Sequence, residues 1–128
     1  VKVYEFPYRV HRGIFLPLIP ITLEERQSTY ALVDSGATVS LFEPWVAERL
    51  GIDIELGRRR SLEGIGGRIL AYEHNVRLRI ADIEFPCKIA FSRELRVSLN
   101  LLGQENFFDR LIVTFDKQRK IVRLRTRK

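Results

Sequence analysis

The segment Asp34-Ser35-Gly36-Ala37 combines residue types suited to acid–base chemistry. Three apolar residues, Ala31, Leu32 and Val33, precede the acid. A carboxylate at the end of such a run is costly unless its surroundings hold the charge. A tight turn at Ser35-Gly36 brings the carboxylate out of the strand end, and glycine lets the backbone fold close enough for an N–H to point back at it. The Ser35 hydroxyl is able to lock this turn by bonding to backbone nearby or across an interface. A carboxylate fixed in this way suits general acid or base work. The competing reading is a plain surface turn, because Asp, Ser and Gly are common turn residues.

A second feature is Leu62-Glu63-Gly64-Ile65-Gly66-Gly67-Arg68-Ile69, where three glycines surround one isoleucine between runs able to pair as strands. This pattern predicts a mobile hairpin with an apolar tip, and Gly66-Gly67 suits the positive φ angles of its turn. A phosphate-cradling loop is disfavoured, since no Lys-Ser/Thr pair and no helix come after it. A hairpin with a purely structural role is the stronger rival. The third feature, Asn100-Leu101-Leu102-Gly103 and then Gln104 to Asp109, reads as a strand entering a short helix.

Strands must position these segments. Lys2–Val10, Ile14–Leu23, Thr29–Val33, Val76–Ile80, Ile83–Phe91, Leu111–Phe115 and Lys120–Leu124 are rich in β-branched and aromatic residues or alternate apolar with polar. A turn is expected at Ala81-Asp82, and another through Asp116–Arg119. Glu43–Gly51 carries Pro in the first turn and Gly past the end of a short helix. A faint repeat relates Ala31–Gly36 to Ser98–Gly103, with Leu101 standing where the first copy has Asp34. Closely spaced strands with little helix predict an all-β barrel or sandwich, formed as one domain over residues 1–128.

Composition narrows the function classes. The 128 residues are 45% hydrophobic, enough for a core and too apolar for a disordered chain. No apolar run approaches the ~20 residues that span a bilayer, and the first residues do not form a signal peptide. The sequence contains no methionine, which leaves open a segment before Val1. One cysteine, Cys87, cannot build an internal disulfide and alternates with Phe85 and Ile89, as a buried thiol does. These features favour the cytoplasm. His11 and His74 lack metal-ligand spacing, so neither metal nor cofactor is expected. The net charge of +6 reflects a basic end, Lys117 to Lys128. Nucleic acid is a weaker explanation of it than a solvated strand face, because Arg123 and Arg125 alternate with Val122 and Leu124.

The three features, in this order and spacing, resemble the retropepsin-like aspartic proteases over about Tyr30 to Leu124. The resemblance implies a small closed barrel with one or two short helices and a flap hairpin. It implies that Asp34 is the catalytic acid, that Ser35 bonds across a dimer, that Gly36 makes the turn, and that Ala37 lies beside the substrate backbone. Gly64, Ile65, Gly66 and Gly67 match the flap, Ile69 adds an apolar subsite, and Leu101, Leu102 and Gly103 match the strand supporting the active-site loop. Serine stands where threonine is commoner in the family, which keeps the hydroxyl and removes a methyl group. Retroviral members often dimerise through terminal strands, whereas this C-terminal end is densely basic, so other surfaces are expected to serve.

The resemblance further implies a homodimeric endopeptidase acting on peptide or protein substrates. One chain supplies a single Asp-Ser-Gly turn, and a second lobe does not fit in this length, so a two-fold axis beside Asp34 is the economical solution. The alternative is a catalytically silent domain of the same fold that serves dimerisation or peptide binding.

Overall fold

The structure is a computed structural model that describes residues 1–64 and 66–127. Its twelve strands are β1 (Val3–Pro7), β2 (Arg9–His11), β3 (Ile14–Leu16), β4 (Leu18–Leu23), β5 (Gln27–Val33), β6 (Ser40–Phe42), β7 (Arg58–Gly64), β8 (Gly67–Ile80), β9 (Ile83–Phe91), β10 (Leu101–Leu102), β11 (Leu111–Asp116) and β12 (Ile121–Thr126). Among the described residues, one α-helix, α1 (Pro44–Leu50), and one 3-10 turn at Ile54–Leu56 interrupt them. The fold is all-β.

Seven strands form one sheet in the order β4-β5-β10-β6-β9-β8-β7. The sheet returns on itself where β4 also meets β8, through Thr22↔Arg79 and Leu23↔Leu78. A three-stranded sheet, β1-β12-β11, and the separate β2–β3 ribbon complete the fold. The two halves of the faint repeat are neighbours: β10 lies parallel to β5, pairing Leu101 with Leu32 and Leu102 with Val33. That register is two residues away from the repeat's own alignment.

The long strand β8 separates two apolar layers. Val76, Leu78 and Ile80 face the main core with Phe85, Cys87, Ile89 and Phe91 of β9. The opposite face of β8 presents Ala71 to a smaller cluster of Val39, Leu41 and Ala90, against which Leu62, Ile69, Leu95 and Leu101 pack. Cys87 is buried as the alternation predicted, and burial pushes its thiol up to about 11. In β12, Val122 and Leu124 are fully buried while Arg125 is exposed, so the basic end is a solvated strand face as expected.

The helix begins with Pro44 and ends at Gly51, whose φ of 72° closes it in the left-handed region. Two expected strands are each broken. Lys2–Val10 divides after Pro7, and Ile14–Leu23 divides at Pro17, which accepts the Val33 N–H but has no N–H to return. The short helix expected at Gln104–Asp109 is instead one wide turn. Glu105 has an extended ψ of 129° and Asn106 a φ of 70°, neither compatible with a helix. Side chains explain the departure. Asn106 Oδ1 accepts the Lys88 N–H at 2.8 Å, and Glu105 pairs with Arg60 at 3.1 Å. Each partner lies on another strand, so tertiary contacts override the local tendency.

Candidate active site

Asp34 comes directly after the last residue of β5 and is half-buried. Its backbone N–H donates to the Leu102 carbonyl at 3.0 Å, so β10 holds the chain where the turn begins. The turn closes as the Ala37 N–H reaches the Asp34 carbonyl at 3.2 Å. The Gly36 N–H donates to Asp34 Oδ1 at 2.9 Å, the interaction expected of a glycine that brings backbone onto the acid. A Cβ at Gly36 would lie 3.3 Å from the same oxygen, so a side chain there would crowd the carboxylate. The Ser35 side chain is exposed and makes no hydrogen bond to the described residues.

Beneath this turn the chain is packed backbone against backbone. A Cβ at Gly103 would fall 2.5 Å from the Val39 carbonyl oxygen and 2.7 Å from that of Ala37. Only glycine lets the two segments touch. The contact is then stitched by Gly103 N–H to Ser40 Oγ at 3.1 Å, Gln104 N–H to Ala37 O at 2.8 Å and Glu105 N–H to Thr38 O at 3.0 Å. The Gln104 side chain reaches the Ser35 carbonyl at 2.7 Å. Leu102 is fully buried in the main core and anchors the support from below.

Above the turn, β7 and β8 form the glycine-rich hairpin. Leu62 pairs with Ile69 and Gly64 with Gly67. Gly67 takes a φ of 110°, a conformation glycine alone adopts readily. Ile65 lies outside the described residues. Between hairpin and turn runs an open groove of about 880 Å³, lined by Asp34, Ala37, Arg60, Gly66, Ile69 and Leu101 among others. Thus Asp34, Gly36, Ala37, Gly64, Gly66, Gly67, Ile69 and Leu101 share one groove. Ser35, Leu102 and Gly103 lie beside or beneath it.

A sequence model of the aspartyl protease family matches residues 19–106, more than half of the chain. The chain belongs to the aspartyl protease family. Its structure is similar to the crystal structure of a retropepsin-like aspartic protease from Rickettsia conorii, with a TM-score of 0.73, 22% identity, and 96% of this chain and 91% of the other covered. It is also similar to EIAV protease complexed with the inhibitor HBY-793, with a TM-score of 0.60, 18% identity, and coverage of 73% and 86%. These likenesses show the retropepsin-like fold. No curated protein matches the chain.

In this member of the aspartyl protease family, the sequence pattern did not mark several residues around the groove. Arg60 points from the base of the hairpin to Glu73 at 2.6 Å and to Glu105 at 3.1 Å. The hydrogen bonds to Glu105 and Glu73 raise its guanidinium above the ordinary value. One arginine therefore ties β7 to β8 and to the turn that supports Asp34. Alternation gives no signal for it: Glu73 shares the parity of the exposed Arg77 and Arg79, and its burial comes from the second layer that packs on that face of β8. Asn100 is a second such residue. Although 3% exposed, it accepts the Glu43 N–H at 2.9 Å and donates to the Tyr30 carbonyl at 3.2 Å. Leu95, Arg96 and Val97 line the groove from a loop with no motif to mark it. Among the described residues, no helix is long and apolar enough to cross a membrane.

Proposed function

We propose that the chain is an aspartic endopeptidase whose active site forms when two copies bring their Asp34 carboxylates together around one water. In this proposal residues 1–128 form one protease unit. A single observation carries it: Asp34, held by the Gly36 N–H at 2.9 Å, lines the same groove as the tip of the glycine-rich hairpin. An extended peptide fits such a groove by strand-like backbone contacts, and the hairpin acts as a flap that excludes water.

The two carboxylates share one proton, because like charges this close do not both ionise cheaply. The ionised one takes a proton from water, and the resulting hydroxyl adds to the carbonyl carbon. The protonated one gives its proton to the carbonyl oxygen. Collapse of the tetrahedral diol breaks the C–N bond as a proton passes to the leaving nitrogen. The exposed Ser35 hydroxyl is available to bond across the interface. Ala37, Ile69 and Leu101 form the apolar walls of the subsites.

The test compares cleavage of a mixed peptide library, from mildly acid to neutral pH, by the unmodified chain and by Asp34→Asn. The expected loss is at least ~100-fold, the usual range for removing an acid–base group. Activity per chain is expected to fall on dilution, since assembly obeys mass action. Equal cleavage by both forms would end the proposal.

A further inference from the structure

The β2–β3 ribbon is poorly covered by the rest of the chain. It forms a two-stranded sheet of its own, with Val10 opposite Phe15 and His11 opposite Ile14. Arg12 and Gly13 close it with φ angles of 51° and 78°, as a type I′ turn requires. Val10 and Ile14 are each 60% exposed and Phe15 is 51% exposed. Directly opposite residues point the same way, so apolar groups stand on both faces. The chain's own cover is slight: the Lys120 ammonium lies 5.2 Å from the Phe15 ring and the Arg9 guanidinium 4.3 Å over Tyr30. A ribbon of two three-residue strands is marginal in water without further packing.

Its position matters as much as its exposure. The Pro17 carbonyl accepts the Val33 N–H at 3.0 Å, and Leu18 pairs with Leu32. The ribbon therefore leaves the sheet at the end that carries Asp34. It lies outside the residues that the family model matches. Meanwhile β12 pairs with β1 on one side and β11 on the other, so it has no free edge to offer a second chain.

We propose that a second copy of this chain covers the β2–β3 ribbon, and that this two-fold contact, rather than strand exchange at β12, brings the two Asp34 turns together. The inference rests on the proposed function, in which each chain is one carboxylate short. A copy that supplies the missing acid must approach the end of the sheet from which the ribbon projects. In a two-fold contact each ribbon then reaches the other chain. Val10, Ile14 and Phe15 serve as apolar anchors, and the adjoining Ser35-Gly36 turn contributes to the larger area that a stable dimer needs.

Three measurements on the full chain test this. Hydrogen exchange of the unmodified chain, from nanomolar to tens of micromolar, is expected to show protection growing at residues 10–16 as dimer forms. Sedimentation of V10K/F15E, and of the milder V10T/F15S, is expected to show the association midpoint raised about tenfold or more, as loss of an interface anchor does. Circular dichroism checks that each variant is folded. Peptide cleavage by both variants should fall at low concentration and recover at high concentration. Binding to anionic phosphatidylserine vesicles is measured in parallel.

Association unchanged in both variants would overturn the inference. So would protection confined to β1 or β12, a chain that stays monomeric throughout, or a ribbon that binds vesicles without self-association. Ribbon-dependent pairing with cleavage indifferent to Asp34→Asn would support the interface and overturn the catalytic reading. Cleavage that needs Asp34 in a dimer indifferent to the ribbon would do the reverse.

Discussion

Gly103→Ala should damage this protein through a single methyl group. The backbone of Gly103, with φ of −113° and ψ of −167°, is open to any residue, so the cost is purely one of space. The new Cβ would meet the Val39 carbonyl oxygen at 2.5 Å and the Ala37 carbonyl oxygen at 2.7 Å. Both are backbone atoms with no rotamer to escape into, so the segments must separate. Overpacking of this kind costs about 1–3 kcal/mol. Separation also stretches the bonds from Gly103 to Ser40 and from Gln104 and Glu105 to the Asp34 loop. Each is worth about 1 kcal/mol if lost. With those bonds partly kept, the total comes to about 2–4 kcal/mol. For 128 residues the unfolding entropy is about 0.27 kcal/mol/K. The melting temperature should therefore drop by about 7–15 °C.

Two controls isolate the cause in urea and thermal unfolding. Gly51→Ala meets no atom within 4 Å but has a φ of 72°, so it should cost about 1 kcal/mol from backbone strain. Gly64→Ala also meets nothing within 4 Å and should change stability by less than about 0.5 kcal/mol. A Gly103→Ala protein no less stable than Gly64→Ala would refute the argument that backbone contact requires this glycine.

The ion pairs and the buried thiol lead to further outcomes. Among the described residues, Arg60→Leu leaves Glu73, whose side chain is 5% exposed, with Arg58 at 3.7 Å as its remaining ion-pair partner. It should cost about 1–3 kcal/mol in urea unfolding, and Arg60→Leu with Glu73→Leu should recover much of that; a double variant worse than the sum would contradict the pairing. Cys87 should react with a thiol reagent at pH 8 far more slowly in the folded chain than in urea. Its thiol is raised from 9.0 to about 11 in the fold, so its stabilising contribution is complete below pH 9 and declines above it. Fast native labelling would contradict the burial. Asp82 is held below its ordinary 3.8, first by the Tyr4 hydroxyl and then by Lys2. That contribution exists above the ordinary carboxylate value and disappears as pH falls below it. The melting-temperature gap between the unmodified chain and Asp82→Asn should accordingly close in acid; a gap that widens there would reverse the sign.

The strand β6 (Ser40–Phe42) was not legible along the chain, whereas most of the strands, the Asp34 turn, the glycine-rich hairpin and the helix α1 were. Each of these depends on neighbours a few residues away: period-two alternation, a glycine beside an acid, proline at a helix start and glycine at its end. Other features arise only from packing. Nothing local in Gln104-Glu105-Asn106 announces that it breaks into a wide turn, because its reasons, Arg60 and Lys88, lie elsewhere in the chain. The need for Gly103 becomes visible only when β10 settles between β5 and β6 and two carbonyls close on it. The same holds for Arg60, which becomes a link between hairpin and support only after a strand, its neighbour and a distant turn meet. Local pattern is set by backbone geometry, whereas pairing across the chain is set by which surfaces the core brings into contact.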